Sequence, residues 1–325
     1  MSNPAKLSYV LVALLLLLVV LLHLPTLFIT VIFSYFALHQ LSFGRSKALG
    51  VSLFLLGVTL AAIGSYFFAL QAYDAVPKIA TKTIPSLLEL ARSHDIELPF
   101  SDYDSLKAQA RDAVSEQIAG IGKYAKALTL GLVEFVIGLV VAVSLFVNAR
   151  FQLEPDSHAV PDNIYLLVWQ EVGERFKTFY RSFATVMGAQ LAISTINTSL
   201  TATFILWNDF PYKVVIIVLT FLCGLLPIIG NLMSNTLIVG IAFTLSPKLA
   251  LMALTFLVVL HKLEYFLNSK IIGSRIKNPM WLTLLGLIIG EALMGVPGMI
   301  LAPVVLHYIK VEASRNKFPL SSNSP

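Results

Sequence analysis

The stretch GLIIGEALMGVPGMILAPVV, Gly286 to Val305, decides how the fold is read. It lies inside an apolar run, Met280 to Tyr308, long enough for one membrane-spanning helix. Yet an acid, Glu291, and the helix-breaking string Gly295-Val296-Pro297-Gly298 stand at its centre. A second apolar run, Val214 to Leu245, is broken in the same manner by Gly224-Leu225-Leu226-Pro227-Ile228-Ile229-Gly230-Asn231. Paired Gly/Pro-interrupted segments point to a binding site formed by discontinuous helices near the bilayer midplane. The competing reading is that both breaks are kinks in ordinary spans, since Gly and Pro are frequent in membrane helices.

The composition fixes the medium in which these runs sit. Of 325 residues, 57% are hydrophobic and 13% charged, and mean hydropathy is +0.81. Soluble domains carry about 25% charged residues. The chain is therefore a polytopic membrane protein, and its net charge of +5 is a topology signal. Nucleic acid is excluded as a partner because Lys and Arg are scattered at the ends of apolar segments. Cys223, the single cysteine, can form no intrachain disulfide, and no metal-ligand or cofactor spacing occurs. The run Leu7 to Leu38 is too long for a signal-peptide core and lacks an A-x-A end. There is no H-E-x-x-H, G-x-S-x-G or P-loop pattern, so neither an enzyme nor an ATP-driven pump is expected.

The fold class expected is an all-α membrane protein with five to six full spans, two re-entrant hairpins and a small helical extramembrane region. Residues 1–73 hold Leu7–Leu24, Thr26–Phe43 and Ala48–Tyr73; the first two read as two short helices or one long kinked one. Residues 74–127 form a mixed-charge extracytoplasmic region with seven basic and eight acidic residues. Within it Ser101–Asp104 resembles a capping box, and the helix that follows can run into the fourth span, Leu128–Ala149. Residues 128–182 add an amphipathic helix that Asp162 can cap. It lies at the membrane surface or packs on the protein itself. Residues 183–310 form the core, and 311–325 a disordered tail.

The core divides into 183–245 and 249–310, each a span, a linker and a broken run. With a cytoplasmic N-terminus and two re-entrant runs, Arg45, Lys47, Lys270, Arg275, Lys277, Lys310, Arg315 and Lys317 all fall inside, as the positive-inside rule prefers. The C-terminus is then cytoplasmic too, and the two units run in opposite directions. The turns are assigned to Gly224, Pro227 and Gly230, and to Gly295, Pro297 and Gly298, with Pro303 bending the returning arm.

Candidate pathway residues follow from polarity at membrane depth. Gln190, Ser194, Asn197 and Thr201 share one face of the fifth span. With Asn231, Ser234 and Asn235 they suit a small hydroxylated solute, or else bond helix to helix. Glu134, Glu264 and Glu291 are acids at or near that depth, each needing a partner, a proton or a water-filled cavity. Glu291 is a candidate cation or proton site, or a protonated acid bonded to the broken backbone. His261 and Glu264 form a candidate proton relay or an interfacial pair. Gly131 and Gly138 fit close helix packing.

From about Tyr180 onward the sequence resembles the autoinducer-2 exporter family of bacterial membrane proteins. The resemblance rests on LLPIIGN (Leu225–Asn231), HKLEYFLNSKIIG (His261–Gly273) and the closing GEALMGVPGMILAPVV. It implies an inner-membrane protein forming homo-oligomers, with pentamers described in the family. It also implies export of the quorum-sensing signal autoinducer-2 in some members and sodium–proton antiport in others. The reading that follows is a secondary transporter of a small polar solute coupled to protons or sodium. A cation–proton antiporter and an oligomeric channel or scaffold are the alternatives.

Overall fold

The computed structural model describes residues 3–93, 121–148, 163–226, 229–267 and 279–315. These residues form ten helices and no strand: α1 Asn3–Leu21, α2 Pro25–Leu41, α3 Lys47–Ser93, α4 Ile121–Val147, α5 Ile164–Trp207, α6 Lys213–Gly224, α7 Ile229–Leu245, α8 Pro247–Leu267, α9 Met280–Met294 and α10 Val296–Arg315. Among them five helices contain a stretch long and apolar enough to cross a membrane. Only 6% of the apolar window in Lys47–Gln71 is buried in the protein, so its side chains face outward. Lipid satisfies such a surface, and helices satisfy their own backbone bonds, which is why this composition yields helices alone.

Three boundaries differ from the sequence reading. Helix α3 does not stop at Tyr73 but continues to Ser93. Helix α5 joins the charged amphipathic segment to the fifth span without interruption. At 44 residues it is about 66 Å long, twice the bilayer core, so the charged half continues beyond that core. Val168, Val172 and Phe179 of this half are buried in the protein. Its N-cap is Asn163, whose Oδ1 accepts from the Leu166 N–H at 2.9 Å. Asp162 lies outside the described residues, as do the proposed capping box at Ser101–Asp104 and the charges Lys270, Arg275 and Lys277. Finally, α10 runs to Arg315, so the first residues of the expected tail are helical.

The chain packs as two compact units. Unit one comprises Met1–Ser52, Val133–Ala189 and Ser274–Pro325; unit two comprises Leu53–Leu132 and Gln190–Gly273. This division follows spatial contact and not chain order, and it places one broken run in each unit.

In unit one, Leu22–Leu24 separate α1 from α2, with His23 at φ +54°. Gly138 of α4 meets α2 closely, since a Cβ there would stand 2.8 Å from Thr30 Cβ. Gly131, which falls in unit two, meets nothing within 4 Å among the described residues. Lys47 donates from Nζ to the Val147 carbonyl at 2.8 Å, answering one of the open carbonyls at the end of α4. Helices α9 and α10 fold back on each other at Gly295, whose φ +62°, ψ −144° is a region open to glycine alone. The turn is this one residue. Val296, Pro297 and Gly298 already belong to α10, where a proline in the first turn loses no helical bond. Gly298 serves contact: a Cβ there would lie 1.9 Å from the Gly290 carbonyl oxygen. Gly286 meets Leu306 and Ala302 one turn further along. Pro303 sits inside α10 without ending it.

In unit two, α6 and α7 form the other hairpin. Ile216 near the start of α6 packs in one buried cluster with Ile238, Ile241 and Ala242 near the end of α7, together with Ala253 and Leu257 of α8. Gly230 stands against the Cys223 carbonyl, where a Cβ would fall 1.6 Å from the oxygen. Pro227 lies outside the described residues.

The contrast between Gly298 and Gly131 gives a direct test. Gly298→Ala should destabilise the purified protein by about 1–3 kcal/mol or more through overpacking. Gly131→Ala should be neutral or slightly stabilising. Thermal unfolding in detergent reads both, and equal effects would contradict the backbone-to-backbone contact at Gly298.

Candidate functional site

Four helices of unit two each turn one polar edge toward a common cavity. Helix α5 contributes Asn197 and Thr201, α6 Thr220 and Gly224, α7 Asn231, Ser234 and Asn235, and α8 Leu257, Leu260, His261 and Glu264. The spacings are i and i+4 on α5 and α6, i, i+3 and i+4 on α7, and i, i+3, i+4 and i+7 on α8, so each helix brings these residues to one face. The cavity measures about 10 Å³, room for roughly one water molecule.

The break after α6 explains half of the polar residues around it. A helix end leaves carbonyls without intrahelical donors. Gln190 donates from Nε2 to the Gly224 carbonyl at 2.7 Å, and Ser194 donates from Oγ to the Phe221 carbonyl at 2.9 Å. Both donors lie on α5. The structure thus resolves the polar face of the fifth span into two parts. Gln190 and Ser194 bond helix to helix, whereas Asn197 and Thr201 line the cavity. Asn197 Oδ1 and Thr201 Oγ1 are buried and have no hydrogen-bond partner among the described residues. On the exposed face of α5, Thr195, Ser199 and Thr203 bond back to their own helix four residues earlier.

Glu264 is the carboxylate of the cavity. Asn231 Nδ2 donates to its Oε1 at 2.6 Å and to its Oε2 at 2.7 Å. The second residue past Ile229, where α7 begins, is therefore tied to α8. Ser234 Oγ in turn donates to the Asn231 carbonyl at 3.2 Å. His261 shares the α8 face and the cavity with Glu264, but is exposed and makes no hydrogen bond to it. The carboxylate is held by an amide, not by an imidazole. Asn235 reaches the cavity wall. Thr220 was not picked out from sequence, although a lone hydroxyl one helical turn before Gly224 was a readable signal.

Glu291 belongs to the other unit and does not line this cavity. Its side chain is exposed. The turn at Gly295 is closed by the Glu291 backbone carbonyl, which accepts from the Gly295 N–H at 2.7 Å, so the carboxyl does not bond the broken backbone. Unit one has its own buried polar cluster, absent from the sequence reading. Arg175 of α5 pairs with Glu312 of α10 at 2.9 Å and with Glu171 at 2.7 Å. Tyr9 of α1 donates to Glu312 at 2.7 Å, and its ring lies 4.4 Å below the Arg175 guanidinium. Arg315 donates to Thr178 Oγ1 at 2.9 Å. These bonds hold the last turn of α10 in helical form.

Replacing Gln190 with Leu should strand the Gly224 carbonyl at a cost of about 1–3 kcal/mol. Hydrogen exchange should then rise in α6 and α7, with α9 and α10 unaffected. Unchanged exchange at the first hairpin would show that Gln190 does not cap the break.

Comparison with known proteins agrees with this architecture. A stretch of 152 residues, 46% of this chain and 43% of the relative, is 26% identical to "Putative transport protein YdbI" of Bacillus subtilis (strain 168). The match spans less than half of that relative's length. The profile of AI-2E family transporters matches residues 7–313. That covers nearly all of the helical chain just described, and the protein therefore belongs to the AI-2E transporter family and is a multi-pass membrane protein.

Proposed function

We propose that this protein is a secondary-active transporter that exports a small polar solute of the autoinducer-2 kind from the cytoplasm. Coupling to a proton or sodium acts at Glu264. The observation that carries the reading is the Glu264–Asn231 pair in a partly buried polar cavity, directly after the break between α6 and α7. A carboxylate at membrane depth marks an ion or proton pathway unless it is structurally neutralised. Here it meets an amide and unpartnered hydroxyl and amide oxygens.

The two hairpins support re-entrant placement. Helices α6 and α9, with 12 and 15 residues, reach about 18 and 22 Å, short of the roughly 30 Å core. The order helix, hairpin, helix, hairpin over α5 to α10 fits two units of opposite direction. Both termini then face the cytoplasm in a bacterial inner membrane. Homo-oligomerisation fits the exposed carboxyl of Glu291 on an apolar helix, because a neighbouring copy or a water-filled lining gives that acid what lipid does not.

Cation–proton antiport is the second reading, and one observation favours it. The cavity has room for roughly one water molecule, which suits an ion in this conformation better than a metabolite. Proteoliposomes of the purified protein, offered autoinducer-2 and other small polar solutes under imposed sodium or proton gradients, separate the two. Saturable solute flux that follows a gradient is expected, and Glu264→Gln should reduce it by about tenfold or more through loss of a charged hydrogen-bond acceptor. Gradient-driven cation exchange with no solute flux would replace the first reading by the second. Normal flux in Glu264→Gln would remove Glu264 from the mechanism.

A further inference from the structure

Resting on the reading of this protein as a transporter, we propose that the polar cluster at the base of the second hairpin is a releasable latch. When it opens, the part of α10 beyond Pro303 swings away from α1 and α5. Two anchors hold α10, and they differ in kind. At the tip its backbone touches that of α9, where a Cβ on Gly298 would fall 1.9 Å from the Gly290 carbonyl oxygen. At the base Glu312 accepts from Tyr9 of α1 and pairs with Arg175 of α5, and Arg315 donates to Thr178. Pro303 lies between the two anchors. It has no N–H to give the Met299 carbonyl, so α10 lacks one helical bond there and bends more readily at that point than elsewhere. A stiff arm on each side of a weak joint is the layout of a hinge.

The groups that stay behind on α5 keep partners of their own. Stranding one member of a buried ion pair is costly. Arg175, however, holds Glu312 through Nη1 at 2.9 Å and Glu171 of its own helix through Nη2 at 2.7 Å. When α10 leaves, Glu171 remains. Thr178 gives its proton to the Glu174 carbonyl at 2.9 Å, so losing Arg315 strands no donor there. On the moving side, Glu312 lies in the last turn of α10 and Arg315 beside it is exposed, so an outward swing returns the carboxylate to water. A permanent brace is better built from apolar side chains, which hold as firmly as buried ions or more so. Arg175 Nε is even buried with no acceptor among the described residues. Tyr9, Arg175 and Glu312 come from three helices and meet at one carboxylate, with the Tyr9 ring 4.4 Å from the guanidinium. Bonds coupled in this way form and fail together.

The test closes the latch covalently. Phe179 and Tyr308 face each other across it, with ring centroids 5.6 Å apart. With Cys223, the single cysteine, replaced by Ser, the pair Phe179→Cys and Tyr308→Cys accepts a short reducible cross-linker. Bridging should slow hydrogen exchange of residues 304–315 by about tenfold in the purified protein, because local opening is removed. It should also stop solute flux in proteoliposomes until reductant restores it. Glu312→Gln should raise exchange of 304–315 by about tenfold and leave 296–300 at the tip unchanged. Tyr9→Phe keeps the ring over Arg175 and removes only the hydroxyl, so it should act in the same direction more weakly without a folding defect. Lys177→Gln, which breaks an exposed ion pair on the same helix, should exchange like the parent. Full flux in the bridged protein, or exchange that bridging does not slow, overturns the latch and makes the cluster a fixed brace. A rise along the whole of α10 in Glu312→Gln overturns the swing about Pro303. If bridging slows exchange but the unbridged protein carries no solute, the latch stands and the transporter reading falls.

Discussion

A helix that breaks inside a membrane leaves carbonyl oxygens that lipid cannot satisfy, and the organisation of unit two follows from how this chain answers that constraint. The end of α6 exposes the carbonyls of Phe221 and Gly224, and Gln190 and Ser194 of α5 supply the missing donors. The hairpin is therefore held at its tip by a neighbouring helix. Once α5 is docked there, its next polar turn, Asn197 and Thr201, faces the interior rather than the lipid. Asn231, just past the break, then reaches Glu264 on α8. The cavity is a by-product of satisfying a broken backbone, and its chemistry comes from the residues left over.

The two hairpins share a layout and differ in how they are stabilised. The turn at Gly295 needs no side-chain donor, because the Gly295 N–H closes on the Glu291 carbonyl. Its arms close on each other through Gly290 and Gly298. Its polar anchoring lies at the far end, where Glu312 and Arg315 hold α10 to Arg175 and Thr178. One hairpin thus has polar chemistry at the tip, the other at the base. A buried ion pair contributes little net stability, but removing one partner is costly, so the base of α10 is fixed in place more than it is strengthened.

Much of this was legible in the chain. Hydropathy placed the apolar runs, and the Gly/Pro strings marked where α6 gives way to α7 and α9 to α10; at the second of these only glycine tolerates the backbone that Gly295 adopts. The helical spacing of Gln190, Ser194, Asn197 and Thr201 was also readable. What periodicity does not contain is the surface a face will meet. Gln190 and Ser194 cap a backbone, while Asn197 and Thr201 line a hollow, and nothing in their spacing separates the two roles. Gly298 was read as part of a turn, although it is a contact glycine. The distinction depends on which single residue takes the positive φ. The Arg175–Glu312 pair was missed because its members are far apart in sequence and each looked like an ordinary charge beside a span.

The weight given to Glu291 shows where local reading reaches its limit. An acid four residues before a helix break is the conspicuous feature of the sequence, yet in the fold that carboxyl is exposed and the break is closed by backbone alone. Glu264 is less conspicuous, lying in a plain helix beside His261 and Lys262. Its partner is Asn231, 33 residues earlier, which the first hairpin brings to it. A charge in a bilayer needs an environment that lowers its cost, and environments are made by folding. In this fold the first broken run supplies Glu264 with a partner, whereas the carboxyl of Glu291, nearest to the second break, is exposed.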